Sequence, residues 1–155
     1  MAVYLDGKWV MSDLNREALF DTLKRHEGVR RYAYVCPAGY LTIGAGRNVD
    51  ENSGRGLSDD EIDYLLSNDV DLSIDELNRS FSWFKNCPNS VKLILVNMHF
   101  NIGLSRLKQF KKMLAAVEDK DYSLAATEML DSRWASQVGA RATELSAQMK
   151  NAKDE

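Results

Sequence analysis

Between Val91 and Ile102 the chain reads VKLILVNMHFNI, apolar on nearly every side of a helix, and Gly103 follows at once. A helix that is apolar all round has to be surrounded by other elements, and a glycine just past the last periodic residue is a common stop. The segment therefore predicts a buried central helix, wrapped by helices at about 106 to 117, 122 to 130 and 137 to 149. A differently built region precedes it. Residues 29 to 47, VRRYAYVCPAGYLTIGAGR, are aromatic and β-branched and are punctuated by Pro37, Gly39, Gly44 and Gly46. That is the pattern of short strands joined by tight turns, and it predicts a small antiparallel sheet.

The two regions are joined at Ser58-Asp59-Asp60-Glu61, where the serine-to-glutamate spacing predicts a capping box and the acidic first turn suits the helix dipole. Ile62, Leu66, Val70, Ile74 and Leu77 then recur at helical intervals, which predicts one helix of roughly twenty residues with an acidic outer face. Upstream, Ser12 is a candidate cap for a helix that carries Leu14, Ala18 and Leu23 and stops near Gly28, leaving Glu27 at its C-terminus. The Asp-Gly pair in LDGKW predicts a short hairpin before that helix. The expected class is α+β and mainly helical: a small antiparallel-sheet lobe at 1–57, with an N-terminal extension, a connecting helix at 58–80, and an all-helical lobe at 81–155. The active-site cleft is expected between the lobes.

Composition narrows the functional classes. With 155 residues and 45% apolar content, the chain can form one compact domain or two small lobes sharing a core. The net charge of −3 is unevenly spread: residues 58 to 80 hold eight acidic side chains and one basic one, and the flanks are near neutral or basic. Binding a phosphate backbone wants a concentrated basic face, so nucleic acid is disfavoured as a partner. The thin cluster Lys108, Lys111 and Lys112 reads as a solvated helix face. No apolar run reaches the ~18 residues of a membrane span, and MAVYLDGKWV lacks the basic-then-apolar order of a signal peptide. The chain is expected to be made in the cytoplasm and to be monomeric. Cys36 and Cys87 are too few for a disulfide framework, and with only His26 and His99 no metal or other cofactor is expected.

Cleaving a glycosidic bond needs an acid for the leaving oxygen and a second group that activates water or attacks the sugar. Glu27 is a candidate acid, because a carboxyl at the negative end of a helix dipole is harder to ionise. Taken alone, a glutamate before a glycine is more often a plain surface residue. Its context adds more. Glu27, eight intervening residues, Cys36, five more, and Thr42 followed by Ile43-Gly44-Ala45-Gly46 closely resemble the active-site signature of the bacteriophage lysozymes, a family of glycoside hydrolases. Asn97-Met98 with Phe100-Asn101-Ile102-Gly103 is similar to that family's buried helix ending at the cleft, and Ser132-Arg133-Trp134 to a later element. The resemblance runs from about residue 13 to about 149.

This resemblance implies an endolysin that hydrolyses the β-1,4 bond between N-acetylmuramic acid and N-acetylglucosamine in peptidoglycan. It implies Glu27 as general acid, Cys36 as counterpart of the water-activating group, and Thr42 as the hydroxyl that positions the water. Asn101, Phe100, Phe110 and Trp134 become substrate-binding residues, and Arg141 holds Glu27. The family commonly has Asp where Cys36 stands and often His where Arg47 stands. A separate holin-type pore former is implied for export to the periplasm or cell wall. Bland readings stand beside these: Thr42 as a strand residue, Phe100 and Phe110 as core, Asn101 as a cap, Arg141 as an ion pair. A free thiol with a pKa of about 8.5 is a poor base at neutral pH, so something has to lower it, and Arg30, Arg31 and Arg47 are near in sequence. Two competing readings are a cysteine hydrolase pairing Cys36 with His26 or His99, and a peptidoglycan-binding or lysis-control protein without turnover.

Overall fold

The computed structural model describes residues 2–5, 8–11 and 15–153, with side-chain burial described from Asn15 onward. Among these are seven α-helices and five short strands, so the protein is α+β and mainly helical. It divides into two compact units, Met1–Ile62 and Asp63–Glu155.

In the first unit, strands β1 (Ala2–Leu5) and β2 (Lys8–Met11) pair antiparallel with Leu5 opposite Lys8. The Asp6-Gly7 turn expected between them lies outside the described residues, as do Ser12 and Leu14. Helix α1 (Arg16–Glu27) is capped by Asn15, whose side chain accepts from the Ala18 amide at 3.0 Å. This moves the start from Ser12, because Asn15 offers its amide oxygen at the spacing an N-cap needs. The helix ends as expected: Gly28 has φ +76° and its N–H returns to the Lys24 carbonyl.

A second sheet follows with strand order β3 (Arg30–Val35), β4 (Leu41–Gly44), β5 (Arg47–Asn48), all antiparallel. The β3–β4 register slips between Arg30 and Tyr34, which marks a bulge there. Helix α2 (Asp59–Ser80) starts with the predicted capping box: Glu61 N–H donates to Ser58 Oγ at 3.3 Å and Ser58 N–H donates to Glu61 Oε2 at 2.9 Å.

The apolar stripe of α2 sinks only toward its C-terminal end. Leu77 is fully buried, whereas Ile62 and Leu66 are exposed. Leu77 belongs to the core of the second unit, with Phe84, Val91, Ile94, Leu95, Met98, Leu107, Met113, Met129 and Met149. Helix α3 (Asn89–Leu107) contributes one face to this core, spaced i, i+3, i+4, i+7; Leu93 and Phe100 on the other side are exposed. It is therefore a central helix with one wet side, not one covered all round. Gly103 interrupts it with φ +77° and ψ 168°, where the sequence placed the stop.

Two expected boundaries are corrected. Helix α4 (Lys111–Glu118) begins five residues later than 106, because the chain through Leu107 to Phe110 makes turn hydrogen bonds instead. The expected helix at 137–149 is two: α6 (Arg133–Val138), capped by Ser132, and α7 (Ala140–Lys150), divided at Gly139 with φ +54° and ψ −113°. Between them and α4 lies α5 (Tyr122–Leu130), capped by Asp121 and tied to α7 where Ser146 Oγ donates to the Ala126 carbonyl at 3.0 Å. No helix among the described residues is long and apolar enough to cross a membrane.

Candidate active site

Cys36 closes β3 at a tight turn. Its carbonyl accepts from Gly39 N–H at 2.8 Å and its own N–H donates to the Tyr40 carbonyl at 2.9 Å. Pro37 supplies the fixed φ such a corner favours, and Gly39 its φ of +89°. The turn brings the half-buried thiol beside backbone N–H groups and beside Thr42. Its pKa is lowered from 9.0, first by the Tyr40 backbone, against partial desolvation, then by the Thr42 hydroxyl and the backbone of Ala38 and Gly39.

The expectation that Arg30, Arg31 or Arg47 would do this is corrected. None of them is a cause of the shift: Arg30 stacks over the Tyr34 ring at 4.5 Å, and Arg47 is held elsewhere. Thr42 sits in the middle strand and is buried, opposite Tyr34 on one side and Asn48 on the other. Its hydroxyl donates to the Tyr40 carbonyl at 2.9 Å. One hydroxyl carries one proton, so the thiol form leaves it on that carbonyl and the thiolate form draws it to sulfur.

Glu27, the last residue of α1, is exposed and lies against the turn between β4 and β5. A methyl group on Gly46 would come 3.1 Å from Glu27 Oε2 and 3.4 Å from its carboxyl carbon. Gly46 has φ +84°. Both facts ask for glycine here: the backbone conformation disfavours a side chain, and the carboxylate occupies the space one would need. The next residue, Arg47, forms a bidentate pair with Glu61, Nη1 to Oε2 and Nη2 to Oε1 both at 2.7 Å, and Nη1 also donates to the Gly56 carbonyl at 3.1 Å. Arg47 and the Ser58 N–H hold the Glu61 carboxyl down, from 4.5 to about 2.

The remaining predicted residues belong to the second unit. Trp134 is buried, donates its indole N–H to Asn101 Oδ1 at 2.8 Å, and meets Phe110 edge-on with ring centroids 6.0 Å apart. Phe110 and Trp134 line a pocket of about 700 Å³ together with Ile102, Arg106 and Arg133. Lys111 and Lys112 of the basic cluster line it too, while Lys108 lies outside α4. Phe100 is about half exposed on α3. Arg141 donates Nε–H to Asn97 Oδ1 at 2.9 Å. His99, the cysteine-hydrolase candidate, has both ring nitrogens engaged: Nε2 with Glu76 at 2.6 Å and Nδ1 with Ser73 at 2.9 Å. No group of three or more His, Cys, Asp and Glu among the described residues could hold a metal ion.

Sequence reasoning named Gly46, Arg47 and Glu61 but missed two contacts they make, Gly46 against Glu27 and Arg47 with Glu61. Gly46 had a signal, the paired glycines around Ala45; the Arg47–Glu61 pair had none, being a contact across fourteen positions between a strand and a helix cap.

Comparison with known proteins places the chain in a wider group. The family model for phage lysozyme matches residues 24–152. "Probable T4-type lysozyme 2" of Dictyostelium discoideum is 26% identical over 154 aligned residues, covering 83% of this chain and 91% of that protein. "Probable T4-type lysozyme 1" of the same organism is 28% identical over 151, covering 81% and 89%.

Proposed function

This chain belongs to the phage lysozyme family, and from that premise we propose that it hydrolyses the β-1,4 bond between N-acetylmuramic acid and N-acetylglucosamine in peptidoglycan. The observation that carries the reading is the Cys36–Thr42 pair: a thiol with lowered pKa beside a buried hydroxyl, on the same hairpin whose Gly46 abuts Glu27. Glu27 donates its proton to the glycosidic oxygen. Cys36, as thiolate, takes a proton from water, and Thr42 Oγ1, its own proton turned to the sulfur, accepts the water's other hydrogen. Attack by that water gives inversion at the anomeric carbon; direct attack by sulfur would give retention. Asn101, Phe100, Phe110 and Trp134 bind sugar, as the resemblance implies. The protein acts as a monomeric endolysin, held in the cytoplasm until a separate pore former releases it to the wall.

The test is digestion of purified peptidoglycan with mass spectrometry of the fragments and NMR of the new anomeric centre. Reducing-end muramic acid, formed first as the inverted anomer, is expected. Anhydro-muramic ends would mean transglycosylation, and free peptides would mean amide hydrolysis. Cys36→Asp should keep or raise activity and Cys36→Ser should lose most of it. A thiol-alkylating reagent should inactivate the wild type and spare the Asp variant.

A further inference from the structure

Arg47 takes no part in the chemistry assigned above, yet both terminal nitrogens of its guanidinium are engaged. One nitrogen serves the Gly56 carbonyl and one Glu61 oxygen, the other nitrogen serves the second oxygen, and Glu61 also accepts from Ser58 N–H. Three pieces of chain meet there: strand β5, the segment leading to α2, and the first turn of α2 itself. Strand β5 needs such an anchor. It is two residues long, it pairs with β4 through Thr42 opposite Asn48 and Ile43 opposite Arg47, with Val49 N–H on the Leu41 carbonyl just beyond, and neither of its residues is buried. A hairpin that short has little stability of its own.

What the anchor holds is the wall of the active site. Gly46, against the Glu27 carboxylate, is the residue before Arg47; Asn48, opposite Thr42, is the residue after it. A shift of Arg47 is transmitted through one peptide bond to each. We infer that Arg47 is a positioning residue for the lysozyme reaction: its forked pair with Glu61 keeps Gly46 against Glu27 and Thr42 in register. A bidentate pair fixes direction as well as distance, which a single-point ammonium cannot do. The inference rests on the glycosidase reading for its effect on rate, though not for its effect on geometry.

Three forms of the full chain test it: wild type, Arg47→Lys and Arg47→His, assayed on peptidoglycan well below their melting temperatures. The lysine form should lose about ten-fold or more in kcat with KM nearly unchanged, because misplacement by less than an ångström is costly at a reacting centre. The histidine form should be most active in mild acid, where imidazolium still pairs with Glu61, and should decline as pH rises past about 6.5. The wild type should lack that decline, since arginine keeps its charge. Equal kcat in the lysine form, a histidine profile parallel to the wild type, or losses that track the unfolded fraction would each overturn the inference. Should the wild type itself show no glycosidase activity, the reading above falls and the geometry is still measured. Carbon NMR of the Glu27 carboxyl and the Gly46 amide signal should both move between wild type and Arg47→Lys, and unmoved signals would overturn it.

Discussion

The two units are held together by different means. Among the residues whose burial is described, every apolar residue of the core comes from position 77 onward, whereas from Asn15 to Ile62 the one buried residue is Thr42, a polar one. The first unit is kept in shape by hydrogen bonds, glycines at positive φ and one bidentate ion pair. The second is kept in shape by area removed from water. The difference bears on function: of the groups assigned to the reaction, Glu27 is exposed and can be exchanged without opening a cavity, whereas Thr42 is buried and cannot.

The comparison is sharpest at Glu27. Glu27→Gln should cost about 100 to 10,000-fold in turnover, because the amide has no proton to donate, and should leave the melting temperature nearly unchanged. A residual rate above roughly a tenth of wild type would remove Glu27 from the acid role. The reverse holds at Leu95, fully buried on α3. Leu95→Ala should lower the unfolding free energy by about 2 to 5 kcal/mol in denaturant titration, with activity per folded molecule intact. A cost below ~1 kcal/mol would break the contrast between the units.

Gly46→Ala lies between these extremes. Alanine at φ +84° costs about 1 to 2 kcal/mol, and its methyl would press on Glu27 Oε2 at 3.1 Å, so activity should fall further than the loss of stability accounts for. Kinetics and calorimetry on the same sample read both. The smallest effect is on acid stability. Glu61 has a folded-state pKa of about 2 against 4.5, so its contribution is complete above pH 4.5 and is lost as pH falls toward 2. Glu61→Gln should flatten the fall of melting temperature through that window.

Much of the helical structure from Ser58 onward was legible because its signals are local. The box from Ser58 to Glu61, the stripe ending at Leu77 and the stop at Gly103 each depend on residues a few positions apart. The errors came where neighbouring signals compete. Asn15 outbid Ser12 as a cap, Gly139 split a continuous apolar pattern, and the turn through Phe110 delayed α4 to Lys111. In the first unit, resemblance drew attention to Glu27, Cys36 and Thr42. What acts on the thiol escaped it, since sequence neighbours suggested arginines and the folded turn supplies backbone amides and a hydroxyl instead. Burial on only one face of α3 was likewise invisible, because Leu93 and Phe100 look as apolar as the residues that are covered.

The imidazole of His99, between Ser73 and Glu76, also limits the order in which these positions can change over generations. If Ser73 became alanine first, Nδ1 would be stranded on a residue only 7% exposed, at a cost of about 1 to 3 kcal/mol. If His99 became valine first, the Ser73 hydroxyl could turn back to the carbonyl one helical turn earlier, and the Glu76 side chain, 37% exposed, could turn to water. Denaturant midpoints should therefore rank His99→Val as the milder first step, and the opposite ranking would refute this order. Descent from the polar trio to an apolar contact thus has a direction: the histidine leaves first, and the serine and glutamate become free to drift.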